Sequence, residues 1–274
     1  MSNLKISAAV ATNIGKVRTN NEDNYFFGGR YLRGEENVHS GSDSFLGEVP
    51  AFFCAVFDGM GGEECGEVSA ELAASSFSDI FRDLSEASGE QTESRLKEFY
   101  NIANEKVHRL SNEINAATGC TAAILAIAGS NAVISNMGDS KVYHISPGQN
   151  SIEQLSEDHT LSALMVKSGV MTKEEAEKSR GNHSLLRYIG AESEEYDLEP
   201  YISESMKLAG TDDNIFLLCS DGLTDMVSEP DILAAFSFED DCKKISASLI
   251  DKALANGGRD NCTVIVVKVY SALD

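Results

Sequence analysis

Residues 120–156 read CTAAILAIAGSNAVISNMGDSKVYHISPGQNSIEQLS. Four short runs, CTAAILAIAG, NAVISNMG, KVYHIS and SIEQLS, are separated only by turn-forming GSN, GDS and SPGQN. Such connections suit hairpins and are too short for the crossover that joins parallel strands, so the stretch predicts an antiparallel meander. Upstream, KISAAVAT (residues 5–12), DNYFFGG (23–29) and PAFFCAVFD (50–58) read as further strands. Residues 30–49 between them are rich in Gly, Ser and Glu and read as an exposed polar loop or insertion. Residues 63–84 place Val68, Leu72, Phe77, Ile80, Phe81 and Leu84 on one helical face. Residues 93–115 do the same with Leu96, Phe99, Ile102, Ala103, Val107, Leu110 and Ile114. Downstream lies a polar helical region over about 160–180, with Thr172 and Glu175 spaced as a capping box. The late strands NIFLLCS and CTVIVVKV bracket helices near 229–236 and 241–256. Strands in runs and helices in consecutive pairs predict an α+β layered sandwich, not a doubly wound sheet.

The 274 residues, 42% hydrophobic, suffice for one large domain or two small ones; without a repeat, linker or low-complexity tract, one domain spanning 1–274 is expected. A net charge of -22 argues against nucleic acid or an anionic membrane surface as partner. The opening MSNLKISAAVATNIGKVRTN carries charge too early for a signal peptide, and no run approaches a membrane span. The six cysteines form no CxxC pair; Cys54, Cys120, Cys219 and Cys262 sit in or beside apolar runs. They read as small buried thiols of a reducing cytoplasm, while Cys65 reads as an inert helix residue.

Six carboxylates fall in short turn signatures: Glu22 and Asp23 in RTNNED, Asp58 in DGMGG, Asp139 in GDS, Asp221 in SDGLTD and Asp260 in GGRDNCT. Asp58 follows AFFCAVF and Asp221 follows IFLLCS, so both are expected where strands end. Glycines beside them allow tight backbone geometry, and Gly59 could add a carbonyl ligand. Each DG dipeptide alone is an ordinary turn signal. Jointly, clustered carboxylates would repel strongly unless cations lay among them, and all-oxygen ligation suits Mg2+, Mn2+ or Ca2+. No D-x-[DN]-x-[DN]-G calcium loop occurs. Paired divalent ions are typical of phosphate-ester hydrolysis, and Arg18, four residues before Glu22, offers a bidentate partner for a phosphate.

RTNNED, DGMGG, GDSK, SEDH, SDGLTD and RDNCTV, in this order, resemble the metal-dependent (type 2C) Ser/Thr protein phosphatases of bacterial type, from about residue 5 to residue 270. The resemblance implies a central β-sandwich of two antiparallel sheets flanked by helix pairs. It implies Asp58 bridging two Mn2+ or Mg2+ ions, with Glu22 and the Gly59 carbonyl on one and Asp221 and Asp260 on the other. Asp139 with Asp221 would hold a third, weaker ion. Asp23 would hydrogen-bond the attacking water and Arg18 the substrate phosphate. Water bridging the metals would attack phosphorus directly, without a phosphoenzyme. The implied substrates are phosphorylated proteins, including a eukaryotic-like Ser/Thr kinase and its targets; a monomer in the cytoplasm is expected. Residues 160–190 resemble the flap beside the active site.

Two departures stand out. Met60 replaces a histidine that serves as proposed general acid in many eukaryotic members, so a metal-bound water would take that role. SRGNHSLLRYIG lacks the usual His-Pro-x-Arg-Asn run of the flap. Two alternatives are a catalytically silent phosphoprotein-binding pseudophosphatase, against which the complete carboxylate set argues, and a dedicated partner-switch phosphatase. His159 in SEDH is expected to be structural, His39 to be a solvated loop residue, and His108, His144 and His183 to serve only surface or local packing.

Overall fold

A computed structural model describes residues 4–34, 39–61, 65–85, 89–176, 179–192, 198–208, 214–236 and 241–270. The strands are β1 (Leu4–Asn13), β2 (Asp23–Phe27), β3 (Arg30–Tyr31), β4 (Ser40–Val49), β5 (Ala51–Gly61), β6 (Thr118–Cys120) and β7 (Ala122–Ala128). They continue as β8 (Asn131–Met137), β9 (Lys141–Ser146), β10 (Ser151–Gln154), β11 (Tyr201–Ile202), β12 (Met206–Lys207), β13 (Asn214–Cys219) and β14 (Cys262–Tyr270). The α-helices are α1 (Gly66–Ser85), α2 (Gly89–Ile114), α3 (Leu161–Lys167), α4 (Lys173–Ala176), α5 (Asp221–Thr224), α6 (Glu229–Phe236) and α7 (Cys242–Ala255).

One sheet runs β10-β9-β13-β14-β1-β4 and the other β11-β8-β7-β5-β2-β3, with β12 added beside β8 and β6 beside β5. Every pairing is antiparallel, as the 120–156 meander predicts. Alternate side chains of a strand point to opposite faces, and here both faces are covered. In β5, Phe53, Ala55 and Phe57 pack against Phe77 and Phe99 of α1 and α2. Phe52, Cys54 and Val56 instead enter the seam between the sheets with Ile6, Phe216, Ile265 and Val267. In β14, Val264 and Val266 turn the other way, toward Phe236, Ile245 and Leu249 of α6 and α7. The result is helices, sheet, sheet, helices. Double-sided burial also explains why these antiparallel strands read as continuous apolar runs, since neither face has to be polar.

Several expectations need correction. Residues 40–49 are not a loop: β4 pairs with β1 over its whole length, Ser40 opposite Asn13 to Val49 opposite Leu4. Its SGSDSFLGEV is polar because the strand is an edge with no fully buried residue; the backbone ladder to β1 holds it, with Phe45 and Val49 of its half-buried face packed on the core between the sheets. Residues 35–38 of the expected loop lie outside the described residues, as do 63–64 at the expected start of the first helix, Gly62 of DGMGG and the side chains of Phe81 and Leu84. Cys65 is not helical; it precedes α1 with φ 75°. All six cysteines are free, and all but Cys65 are buried. In the 160–190 region, the capping box forms: Thr172 N–H donates to Glu175 Oε2 at 2.9 Å and Glu175 N–H to Thr172 Oγ1 at 3.2 Å. No described helix is long and apolar enough to cross a membrane.

Candidate metal centre

Strand register brings the six motif carboxylates to one end of the sandwich. Asp23 opens β2 directly opposite Asp58 on β5. Asp58 does not end its strand. β5 continues to Gly61 because β6 pairs with its last three residues, and this keeps Asp58 on a rigid two-sided ladder. Asp58 N–H donates to Thr121 Oγ1 at 3.1 Å, and Thr121 N–H returns a bond to the Asp58 carbonyl at 2.8 Å. Asp221 opens α5 straight after β13, so its strand ends as expected. Asp139 sits in the β8–β9 turn, where the neighbouring Ser140 hydroxyl meets Thr121 at 2.7 Å.

Asn261 ties three segments together. Its Nδ2 donates to the carbonyls of Ile14 and Asn20, each at 2.9 Å, and its Oδ1 accepts from Glu22 N–H at 2.8 Å. This bond fixes the backbone of Glu22. Close packing leaves no room for side chains at two glycines. A Cβ on Gly59 would stand 2.3 Å from the Gly66 carbonyl oxygen, and one on Gly222 would stand 1.8 Å from that of Asn261. Gly59 N–H donates to the Glu22 carbonyl at 3.1 Å, so Glu22, Gly59 and the start of α1 meet at one point.

The electrostatics are those of acids forced together. Burial, then the charges of Asp23, Asp221, Asp139 and Asp260, push Asp58 well above the usual carboxylate range. Burial raises Asp23 to about 7 against the opposing hydrogen bonds of Thr263 and Ser220. Asp139 is likewise raised to about 7, by burial and then by Asp221. Glu22 is raised by burial and by Glu67. Asp23 is fully buried, and only one of its oxygens is satisfied: Ser220 Oγ donates to Oδ2 at 2.8 Å while Oδ1 has no partner. A buried acceptor without a donor costs roughly 1–3 kcal/mol. Oxygen donors that are crowded, desolvated and in one case unpaired suit hard divalent cations. This donor set therefore fits Mg2+ or Mn2+.

Arg18 reaches one of the expected ligands: its Nη2 donates to Asp260 Oδ2 at 2.7 Å, with about half of its side chain exposed. His159 has the structural place expected of it. Its Nδ1 accepts from Gly138 N–H at 3.2 Å and its backbone N–H donates to the Gly138 carbonyl at 3.0 Å, bracing the turn that carries Asp139. His39 is exposed, as expected of a solvated loop residue.

Sequence reading missed two residues. His183, read as surface packing, faces Asp221 Oδ2 through Nδ1 at 3.7 Å and Asp225 Oδ2 through Nε2 at 3.8 Å. Among the described residues, His183, Asp221 and Asp225 are the group of three whose ligand atoms all lie within 4.8 Å of one another. They line a small open pocket with Asp139, Lys141, Asp158 and Thr224. Asp225 could have been found, since SDGLTD places it one helical turn after Asp221. His183 has no local signal, because it arrives from a distant segment.

Residues 21–164 match the family model described as Protein phosphatase 2C. The serine/threonine phosphatase stp of Listeria welshimeri is 30% identical over 264 residues, covering 95% of each chain. The protein phosphatase PhpP of Streptococcus pneumoniae is 27% identical over 262 residues, covering 95% of this chain and 96% of that one. Among solved structures, the catalytic domain of the serine/threonine protein phosphatase PstP in complex with two manganese ions superposes with TM-score 0.76 at 26% identity, over 97% of this chain and 99% of that one. The six ordered motifs, the antiparallel sandwich and these matches agree: the chain belongs to the protein phosphatase 2C family.

Proposed function

We propose that this chain hydrolyses phosphoserine and phosphothreonine in proteins with the help of divalent cations, as one phosphatase domain. The observation that carries the reading is the mutually repelling set Asp23, Asp58, Asp139, Asp221 and Asp260, with Asp23 and Asp139 buried and the other three half-buried, assembled from both sheets at one rim. Asp58, Asp221, Asp260, Glu22 and the Gly59 carbonyl would hold two Mn2+ or Mg2+ ions, and Asp139 with Asp221 a third, weaker one. When bound, such ions polarise the phosphoryl oxygens and make water nucleophilic at neutral pH. Asp23, with its unpaired buried oxygen, orients the attacking water by accepting its proton in a hydrogen bond. Arg18 exchanges Asp260 for the substrate phosphate, for which its half-exposed guanidinium provides two parallel donors. No Ser or Cys nucleophile is required. Met60 cannot donate a proton, so the leaving alkoxide is protonated by water.

Phosphoproteins, including targets of a Ser/Thr kinase, are the substrates that fit. The six free thiols support a reducing, cytoplasmic setting, with the chain acting as a monomer. The reading is tested with a protein labelled by 32P on threonine. Inorganic phosphate is expected to appear with Mn2+ and to stop with EDTA, while the acid-quenched chain carries no label. Label retained on the chain would rule out direct attack by water, and release indifferent to EDTA would rule out the metal.

A further inference from the structure

His183 sits in the 3-10 turn Arg180–His183, far in sequence from the carboxylates that it faces. Its backbone is fixed: Leu161 N–H donates to the Ser184 carbonyl at 2.9 Å and Ser184 N–H to that of Gly181 at 3.2 Å. The ring is thus presented to Asp221 and Asp225 by a braced turn. Its distances of 3.7 and 3.8 Å are too long for direct hydrogen bonds. Two ligands of one ion, with bonds of about 2.1 Å, lie at most about 4.2 Å apart, and the Nδ1–Asp221 separation falls inside that span. Lys141, the nearby cation, is already bonded to Asp158 and leaves the Asp221 side free.

We infer that His183 Nδ1 is a nitrogen ligand of the cation that Asp221 holds in the pocket lined also by Asp139, and that it makes this site prefer Mn2+ over Mg2+. The inference rests on the third-ion reading above. An imidazole nitrogen suits first-row transition metals, whereas Mg2+ keeps to oxygen. Asp225, 3.8 Å from Nε2 and not bonded to it here, stands where a carboxylate behind a metal-bound histidine would accept the other ring N–H and fix the tautomer. The same bond would tie the segment after α4 to α5, so occupancy of the site and placement of that segment go together.

The test compares full-length wild type with His183→Ala. Mn2+ and Mg2+ are titrated calorimetrically into each, and pulsed EPR looks for nitrogen coupling as Mn2+ is added beyond two equivalents. Wild type is expected to show two tight sites, a weaker third one favouring Mn2+ at least tenfold, and nitrogen coupling at the third. In His183→Ala the coupling disappears and the third Mn2+ affinity falls at least tenfold, while its Mg2+ affinity changes less than threefold. The two tight sites and the melting temperature stay as they were. Absence of coupling in wild type, or an unchanged third site in the variant, would overturn the inference. Absence of the two tight sites in wild type would instead bring down the phosphatase reading itself, and the titration separates the two failures.

Discussion

At the scale of single residues, the centre is defined by burying acids that water would otherwise stabilise. Asp58 feels four other carboxylates and has lost much of its hydration, so its charge is costly until a cation arrives. Asp58→Asn removes both the repulsion and the proposed ligand. Turnover is expected to fall by about a thousandfold, roughly 4 kcal/mol of transition-state stabilisation. The melting temperature of the metal-free protein is expected to rise by a few degrees, which differential scanning calorimetry reads directly. A variant that loses both activity and stability would mean that Asp58 holds the fold together.

Ser220 is a quieter test. It donates to Asp23 and accepts from Thr263 N–H at 2.9 Å, linking the two sheets through one hydroxyl. Ser220→Ala removes one of the two hydrogen bonds that oppose the burial of Asp23, leaving that of Thr263. Stability is expected to drop by about 1–3 kcal/mol. The acid limb of the pH–rate profile is expected to move upward, because Asp23 would bind its proton more tightly.

At the scale of elements, close approach of backbones sets the geometry. Gly222 lies against Asn261 with no space for a methyl group, and this contact seats α5, and with it Asp221, beside the start of β14. Gly222→Ala must therefore push the two apart. An activity loss of at least tenfold with reduced Mn2+ affinity is expected, against intact far-UV circular dichroism; wild-type affinity would show that α5 tolerates the shift.

The element scale also shows what sequence could and could not disclose. The 120–156 meander, the capping box of Thr172 and Glu175, and the six carboxylate motifs are local, so spacing and turn chemistry suffice to read them. β4 escaped because SGSDSFLGEV has low strand propensity and its structure comes from pairing with β1, from Ser40 opposite Asn13 to Val49 opposite Leu4. The continuation of β5 past Asp58 escaped for the same reason, since it depends on β6 beyond two helices. His183 escaped because its partners are brought to it only by the packing of α3 and the turn after it. Local chemistry was readable, and contacts made by distant partners were not.

At the scale of the molecule, two sheets meet at a rim where carboxylates from both raise one another's affinity for protons. The signs follow from linkage. Asp23 and Asp139, raised to about 7, hold protons in the folded state that the unfolded chain has already released above about pH 4. The metal-free fold therefore loses stability as pH rises from about 4 to about 7 through these two groups. Cation binding displaces the same protons, so Mn2+ affinity should fall as pH drops below about 7. Calorimetric titration with Mn2+ at pH 7 in buffers of differing ionisation enthalpy is expected to report net proton release, shrinking by pH 8.5. No proton release at pH 7 would mean that these acids are not displaced by the metal.

The central claim is that carboxylates from both sheets form one divalent-cation centre for phosphoester hydrolysis. Its most direct test is the initial rate of phosphate release from a phosphothreonine peptide, measured for wild type and Asp58→Asn with Mn2+ and with EDTA. Release is predicted in wild type with Mn2+ alone, with the other three conditions at background. Release by Asp58→Asn at a rate near that of wild type would contradict the account.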